Sequence, residues 1–476
     1  MDRSARAAKR LVEGSVPLGV LRFGLPLVVG MILHTTFNLI DMFMISRLDE
    51  STAALAALGI CDMVAAVATI LSNGVSTASV AIIARRVGAG DEEGVRRATH
   101  QSLLFVGALS VVFGLLGIFG SDFVIRVMMQ AKGEAADLAV GYLQILMGGG
   151  FSIFFLLQIT AILRALGHAT SAAALLVGGN LLNIVLNVPL IYGPGPYPEV
   201  FAWGQPIAVA LDIPRLGVEG AAWATLIGRT VPVLIGALLL ARRGGGMGFS
   251  MAAFRPHWDE LRTIFRVGWP SSAQLVLRIL AVLVFISLVN AIYTSPDDQS
   301  ALTAYSICLR LETMALFVGM GWGAAATSFV GMNLGAGQVA RAKSAGWWAA
   351  AYNFGLMLFL VWIYLVHSDS IVGFFDDGPT TLAVGREYFR TVGLTYGLVG
   401  VAVVLSQAIN GAGATLSSLV VDALVLMVLI PVAIYAGEIL RIPRAHFWML
   451  IALGNVVTAV GYIGWYWRGT FLNKVV

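Results

Sequence analysis

The sequence predicts an all-α, polytopic membrane protein with twelve transmembrane helices in two six-helix bundles related by pseudo-two-fold symmetry. Three observations carry that prediction. Only 12% of the 476 residues are charged and 58% are hydrophobic. Soluble domains are typically about 25% charged, so this little charge cannot cover a water-facing surface. The loops between the apolar runs fall into two alternating sets, one holding nineteen of the 30 Lys and Arg residues and the other eight. The chain also repeats itself at a nearly constant offset.

The apolar runs are residues 17–46, 53–83, 98–119, 136–163, 170–192, 217–241, 267–293, 300–330, 344–366, 388–409, 415–436 and 446–467. Each has about the 20 residues that a spanning helix needs. The first contains GLPLVVGMILHTTFNLIDMFMISR (24–47), with one acid, Asp41. A carboxylate inside a span is costly and by default faces a protein interior or water, which suggests function. The alternative is that Asp41 simply ends the hydrophobic run near the interface. Asn38 lies one turn before it on the same helical face. The fifth run carries NLLNIVLN, in which Asn180, Asn183 and Asn187 share one face. Three amides on a membrane helix need partners, either other side chains or a cation. The loop 192–218 is long, proline-rich and aromatic. Residues 242–266 form a linker, Gly-rich and then amphipathic, expected on the cytoplasmic surface.

The repeat is read from three pairs. RFGLP (22–26) answers RVGWP (266–270), ARRVGAG (84–90) answers GMNLGAG (331–337), and RALG (164–167) answers NGAG (410–413), at offsets of 244, 247 and 246 residues. Each half holds six spans, so the halves have the same orientation, as in transporters built from parallel repeats. Pro26 and Pro270 at matching positions either bend long helices or mark their first turns. The expected organisation is a segment 1–16, a lobe 17–241, the linker 242–266, a lobe 267–467 and a tail 468–476. The basic loop set places both termini in the cytoplasm. The first apolar run is too long for the core of a cleavable signal peptide.

Several classes are excluded. Cys61 and Cys308 lie in apolar runs and give neither a disulfide framework nor metal spacing. HExxH, a nucleophile elbow and a P-loop are all missing, which argues against an enzyme and against ATP drive. A net charge of +4 is too small to imply nucleic acid.

The twelve spans, the LP-type start, the NLID stretch and the doubled G-A-G loops resemble the multidrug and toxic compound extrusion (MATE) family, over about residues 17–467. The resemblance implies a cation-coupled (Na+ or H+) antiporter that exports organic, cationic drugs across the plasma membrane, the inner membrane in bacteria, by alternating access. The implied chain is monomeric and has no prosthetic cofactor. The alternative within the superfamily is a flippase for a lipid-linked oligosaccharide or peptidoglycan precursor.

The resemblance also implies an ion-coupling site made by Asp41, Asn180, Asn183, Asn187, Ala221 and Thr225. If the ion is Na+, Asp41, Asn183 and Thr225 would be its ligands. Some members have a second aspartate where this chain has Asn187. Members with a sodium site in the second lobe carry a glutamate where this chain has Arg278, so that site is not carried over. An arginine inside a span needs a partner, and Glu312 is the expected one. Asn38, Met31, Phe37, Phe154, Phe155 and Asp422 are candidates for lining the substrate cleft, since apolar and aromatic walls with a few acids suit organic cations. Helix packing is the competing role for each apolar one, and pairing with an arginine is the competing role for Asp422.

Overall fold

The computed structural model describes residues 11–48, 51–243 and 254–473. Among them every regular element is helical, apart from an isolated bridge between Ser295 and Asp298. Spanning segments in lipid must satisfy their own backbone polar groups, which favours helices. The elements are α1 (Val16–Ile45), α2 (Ser51–Ala89), α3 (Glu92–Asp122), α4 (Gly133–Gly148), α5 (Phe151–Ala165) and α6 (Ala169–Tyr192). They continue with α7 (Gly204–Ala210), α8 (Gly217–Arg243), α9 (Trp258–Tyr293), α10 (Ser300–Gly335) and α11 (Val339–Val366). The last are α12 (Ser368–Gly373), α13 (Pro379–Thr391), α14 (Tyr396–Gly411), α15 (Thr415–Ile434) and α16 (Arg444–Arg468).

Twelve spans are accounted for once one break is recognised. Among the described residues, eleven helical stretches are long and apolar enough to cross a membrane singly, and α4 with α5, bent by 45°, supplies the twelfth. The bend falls at Gly148, Gly149 and Gly150, where three residues without a side chain weaken the helix.

The repeated loop motifs are helix stops. Gly90, Gly167, Gly337 and Gly413 all have positive φ, between 72° and 86°. At each corner the next residue's N–H reaches back five residues: Asp91 to Arg86, His168 to Leu163, Gln338 to Asn333 and Ala414 to Ile409. This is the Schellman arrangement, which favours glycine because only it enters the left-handed region at no steric cost.

Pro26 and Pro270 lie inside α1 and α9, so the first-turn reading falls. Residues 258–266, expected as linker, are the opening turns of α9. The linker residues 244–253 lie outside the described residues. Just beyond them, Gln101 on α3 holds the chain: its Nε2 donates to the Arg255 carbonyl at 2.8 Å, and its Oε1 accepts from the His257 N–H at 3.0 Å.

Packing divides the chain into two compact units. One comprises Ile32–Ser79 and Glu92–Phe265; the other comprises the described parts of Ala8–Met31, Val80–Asp91 and Arg266–Val476. In the second, Gly24 faces the Trp322 ring and Phe23 meets Phe329 edge-on at 5.6 Å. Its core is aromatic, with Tyr305 stacked on Trp448 at 5.4 Å.

Candidate functional site

The first unit gathers most of the predicted coupling residues on three helices. α6 and α8 approach closely because two glycines face each other. A Cβ on Gly179 would lie 2.7 Å from the Gly228 carbonyl, and one on Gly228 would lie 2.9 Å from Asn183 Cβ. Small residues let membrane helices pack backbone to backbone. That approach puts Asn183 beside Thr225 of α8, while the same face of α6 looks onto α1.

The amide row then divides. Asn180 pairs with His34 of α1, Nδ2 to Nδ1 at 3.1 Å. Asn187 Nδ2 donates to Asp41 Oδ1 at 2.6 Å. One end of the Asn183 amide lies 3.0 and 3.1 Å from the two Asp41 oxygens, and the other end 3.1 Å from Thr225 Oγ1 and 3.1 Å from Thr225 N. Which end is nitrogen is assigned from partners. With nitrogen toward Asp41, the amide donates to the carboxylate and its carbonyl accepts from both Thr225 groups. With oxygen toward Asp41, three oxygens face one another, and the same oxygen accepts from Asn187 Nδ2 at 3.2 Å. Such an oxygen cluster needs a cation or a proton to hold it.

Asp41 forms no ion pair within 4 Å among the described residues. Arg229, four residues after Thr225 on α8, acts electrostatically on Asp41, and also on Asp62, Tyr142 and His34. Among the described residues, Arg229 Nη1 is buried without a hydrogen-bond partner, as is Asn187 Oδ1. Ala221 is buried one turn before Thr225.

The expected cleft residues fare unevenly. Phe154 is fully buried and packs its ring against Phe113 at 5.3 Å, so it is a core residue. Phe37 is also buried, Phe155 is half-buried, and Met31 lies on the stretch of α1 that belongs to the other unit. The side chain of Asn38 lies outside the described residues. The loop 192–218 is folded onto α1: Phe201 meets Phe43 at 6.1 Å, and Tyr192 OH donates to the Met44 carbonyl at 2.7 Å.

In the second unit the predicted pair of Arg278 with Glu312 is not formed. Arg278 Nε donates to Asp422 Oδ2 at 2.7 Å, which also corrects Asp422 from cleft-lining acid to buried partner, 3% exposed. The Glu312 carboxylate instead accepts from Tyr388 OH at 3.0 Å. The reason is geometric: Asp422 on α15 faces the side of α9 that bears both Gln274 and Arg278.

Several groups at these sites were not singled out from the sequence. Arg229 and Gln274 each carry a weak signal, since they lie four residues from Thr225 and Arg278 on the same faces. Tyr142 and Tyr462 carry none.

A family model described as MatE matches residues 26–188 and 275–435. Among curated relatives, the chain is 25% identical over 419 residues to a probable multidrug resistance protein, YpnP, of Bacillus subtilis, covering 88% of this chain and 87% of the relative. It is 26% identical over 456 residues to an FAD transporter of Shewanella oneidensis, covering 92% and 94%. Among solved structures, a MATE bound to MaL6 superposes with a TM-score of 0.85 at 25% identity, over 100% of both chains. An outward-facing multidrug resistance MATE transporter of the MOP superfamily gives 0.85 at 26% identity, over 98% of both. With twelve spans in place and the matched segments falling one in each half, the chain belongs to the MatE family of multidrug efflux transporters.

Proposed function

We propose that this protein is a cation-coupled antiporter that exports organic compounds across the plasma membrane by alternating access, with both termini in the cytoplasm. The observation that carries the coupling is Asp41. It is a carboxylate inside a span, without an ion pair among the described residues, and its close partners are uncharged amides. The donors available to a cation are all oxygens: the Asp41 carboxylate, the Asn183 carbonyl and the Thr225 hydroxyl, a set that suits a hard cation. A proton on Asp41 would reconcile the same oxygens.

Asn183 joins α1, α6 and α8 whichever way its amide is turned, so a cation held by Asp41, the Asn183 carbonyl and Thr225 would tie the three helices together. A ligand that makes such contacts in one conformation and not in the other biases the equilibrium between them. Pro26, inside α1, removes a backbone hydrogen bond from the same helix and eases its bending.

An organic cation is the proposed substrate class, in keeping with relatives named multidrug resistance proteins. A second reading, an anionic substrate, rests on the relative named FAD transporter and on Arg229, whose Nη1 has no hydrogen-bond partner among the described residues. The flippase reading loses support, since Arg278 is engaged by Asp422 and is not free for a pyrophosphate.

The test is efflux of a fluorescent organic cation from proteoliposomes, with Na+ and pH gradients imposed separately, for wild type and Asp41→Asn. Export driven by one gradient and lost in the variant is expected. Export indifferent to both gradients, or intact in the variant, sinks the reading.

A further inference from the structure

The C-terminal half places a carboxylate in the same three-helix setting as Asp41, but there its charge is already matched. The repeat aligns the first, fifth and sixth spans of one half with those of the other, so α1, α6 and α8 correspond to α9, α15 and α16. In the N-terminal half the acid is on α1, the amides on α6 and the hydroxyl on α8. In the C-terminal half the parts are redistributed. Asp422 is on α15, Tyr462 on α16, and Gln274 with Arg278 on α9.

Asp422 is fully engaged. Its Oδ2 accepts from Arg278 Nε at 2.7 Å and from Gln274 Nε2 at 2.9 Å, and its Oδ1 accepts from Tyr462 OH at 2.7 Å. Gln274 Nε2 also lies 2.8 Å from Tyr462 OH and 3.1 Å from Ser406 Oγ. Arg278 is the one ion-pair partner of Asp422 among the described residues. The repeat offset of 244 brings Arg278 onto His34, the α1 residue bonded to Asn180. A guanidinium stays protonated in a protein and, being covalently tethered, cannot exchange with solution.

We propose that Arg278 is a resident cation: it fills, on Asp422, the place that an exchangeable cation takes on Asp41, so that only the N-terminal half binds a coupling ion. The asymmetry deepens the coupling reading above, yet its C-terminal part can be tested without it. Without Arg278, Asp422 is a buried carboxylate that lacks a counter-charge, which is unfavourable. The Asp422 carboxylate and the hydroxyls of Tyr462 and Ser406 then offer an oxygen set to a monovalent cation or, failing that, to a proton.

The experiment is equilibrium binding of radioactive Na+ to the purified full chain, paired with infrared detection of protonated carboxyl groups, in wild type, Asp41→Asn, Asp41→Asn/Arg278→Gln, and that double variant with Asp422→Asn added. The Asp41→Asn background removes the N-terminal site. Going from it to the double variant, bound Na+ should rise from none to one per chain, or a protonated-carboxyl band should appear. Adding Asp422→Asn should abolish either signal. A folded double variant with neither signal overturns the proposal. If the double variant does not fold, the wild type still decides: more than one Na+ per wild-type chain overturns the proposal, and one or none supports it. Na+ binding that survives Asp41→Asn but is lost when Asp422→Asn is added to it overturns the proposal, whereas binding that survives both substitutions counts against the N-terminal reading instead, so the two failures are distinct.

Discussion

Replacing Asn183 by alanine is the sharpest test of how the coupling site is built. Asn183 is the residue that joins all three helices, lying 3.0 and 3.1 Å from the Asp41 oxygens at one end of its amide and 3.1 Å from Thr225 at the other. Alanine keeps the Cβ against which Gly228 packs, so the approach of α6 to α8 survives and the loss is confined to the amide. In the cation-bound site the Asn183 carbonyl is one of the oxygens on the ion, and a polar contact to a charged group contributes about 1.5–3 kcal/mol, partly offset because the empty site loses its amide contact to Asp41. With roughly 1.4 kcal/mol for each factor of ten in affinity, half-saturation by the coupling cation should weaken, by at most about 150-fold. The assay is initial transport rate in proteoliposomes as a function of the concentration of the driving cation. Asn180→Ala is the control: Asn180 bonds His34 rather than Asp41, so half-saturation should stay within about twofold of wild type, well under one tenfold step. An unchanged midpoint for Asn183→Ala, or an equal shift for Asn180→Ala, would refute the reasoning.

Two further outcomes follow from the packing and the charges. Gly179→Ala should destabilise the protein by about 1–3 kcal/mol, because the new methyl overpacks a close helix contact; Gly178→Ala, which meets nothing within 4 Å, should melt within a degree or so of wild type, and equal melting of the two variants would contradict the contact. Asp369, between the spans, accepts two hydrogen bonds from Arg386, at 2.9 and 2.5 Å, and its carboxyl is held below the usual carboxylate range chiefly by those bonds. A lowered folded pKa contributes stability that is fully present above the unfolded value, about 3.9, and is lost as the pH falls through the folded one. The melting-temperature gap between wild type and Asp369→Asn should therefore hold from neutral pH down to about pH 5 and close in stronger acid; a gap that widens on acidification would show that the pair does not set it.

What could be read in the sequence, and what could not, divides along the range of the forces involved. Spans come from composition within a single segment, so all twelve were legible, and so was the row of amides on α6, fixed by helical spacing alone. The bend between α4 and α5 was written in three consecutive glycines, but a run of apolar residues reads as one helix until packing decides whether a weak point gives. The G-A-G motif was legible as a repeat; that it is a helix stop needed the backbone angles. Partner choice was the least legible. Arg278 had two acids within plausible reach, Glu312 on α10 and Asp422 on α15, and spacing along one helix says nothing about which neighbouring helix it meets. The decision rests on Gln274, one turn before Arg278, and on Tyr462, both of which donate to Asp422. Inside a membrane an acid is held where donors converge on it, because each missing donor leaves a polar atom in a medium that cannot replace it. Counting the donors around each acid, rather than ranking acids by their distance along the chain from a basic residue, is therefore the physical criterion that selects the pair. It separates Asp422, with two charge-free donors besides Arg278, from Glu312, to which Tyr388 donates.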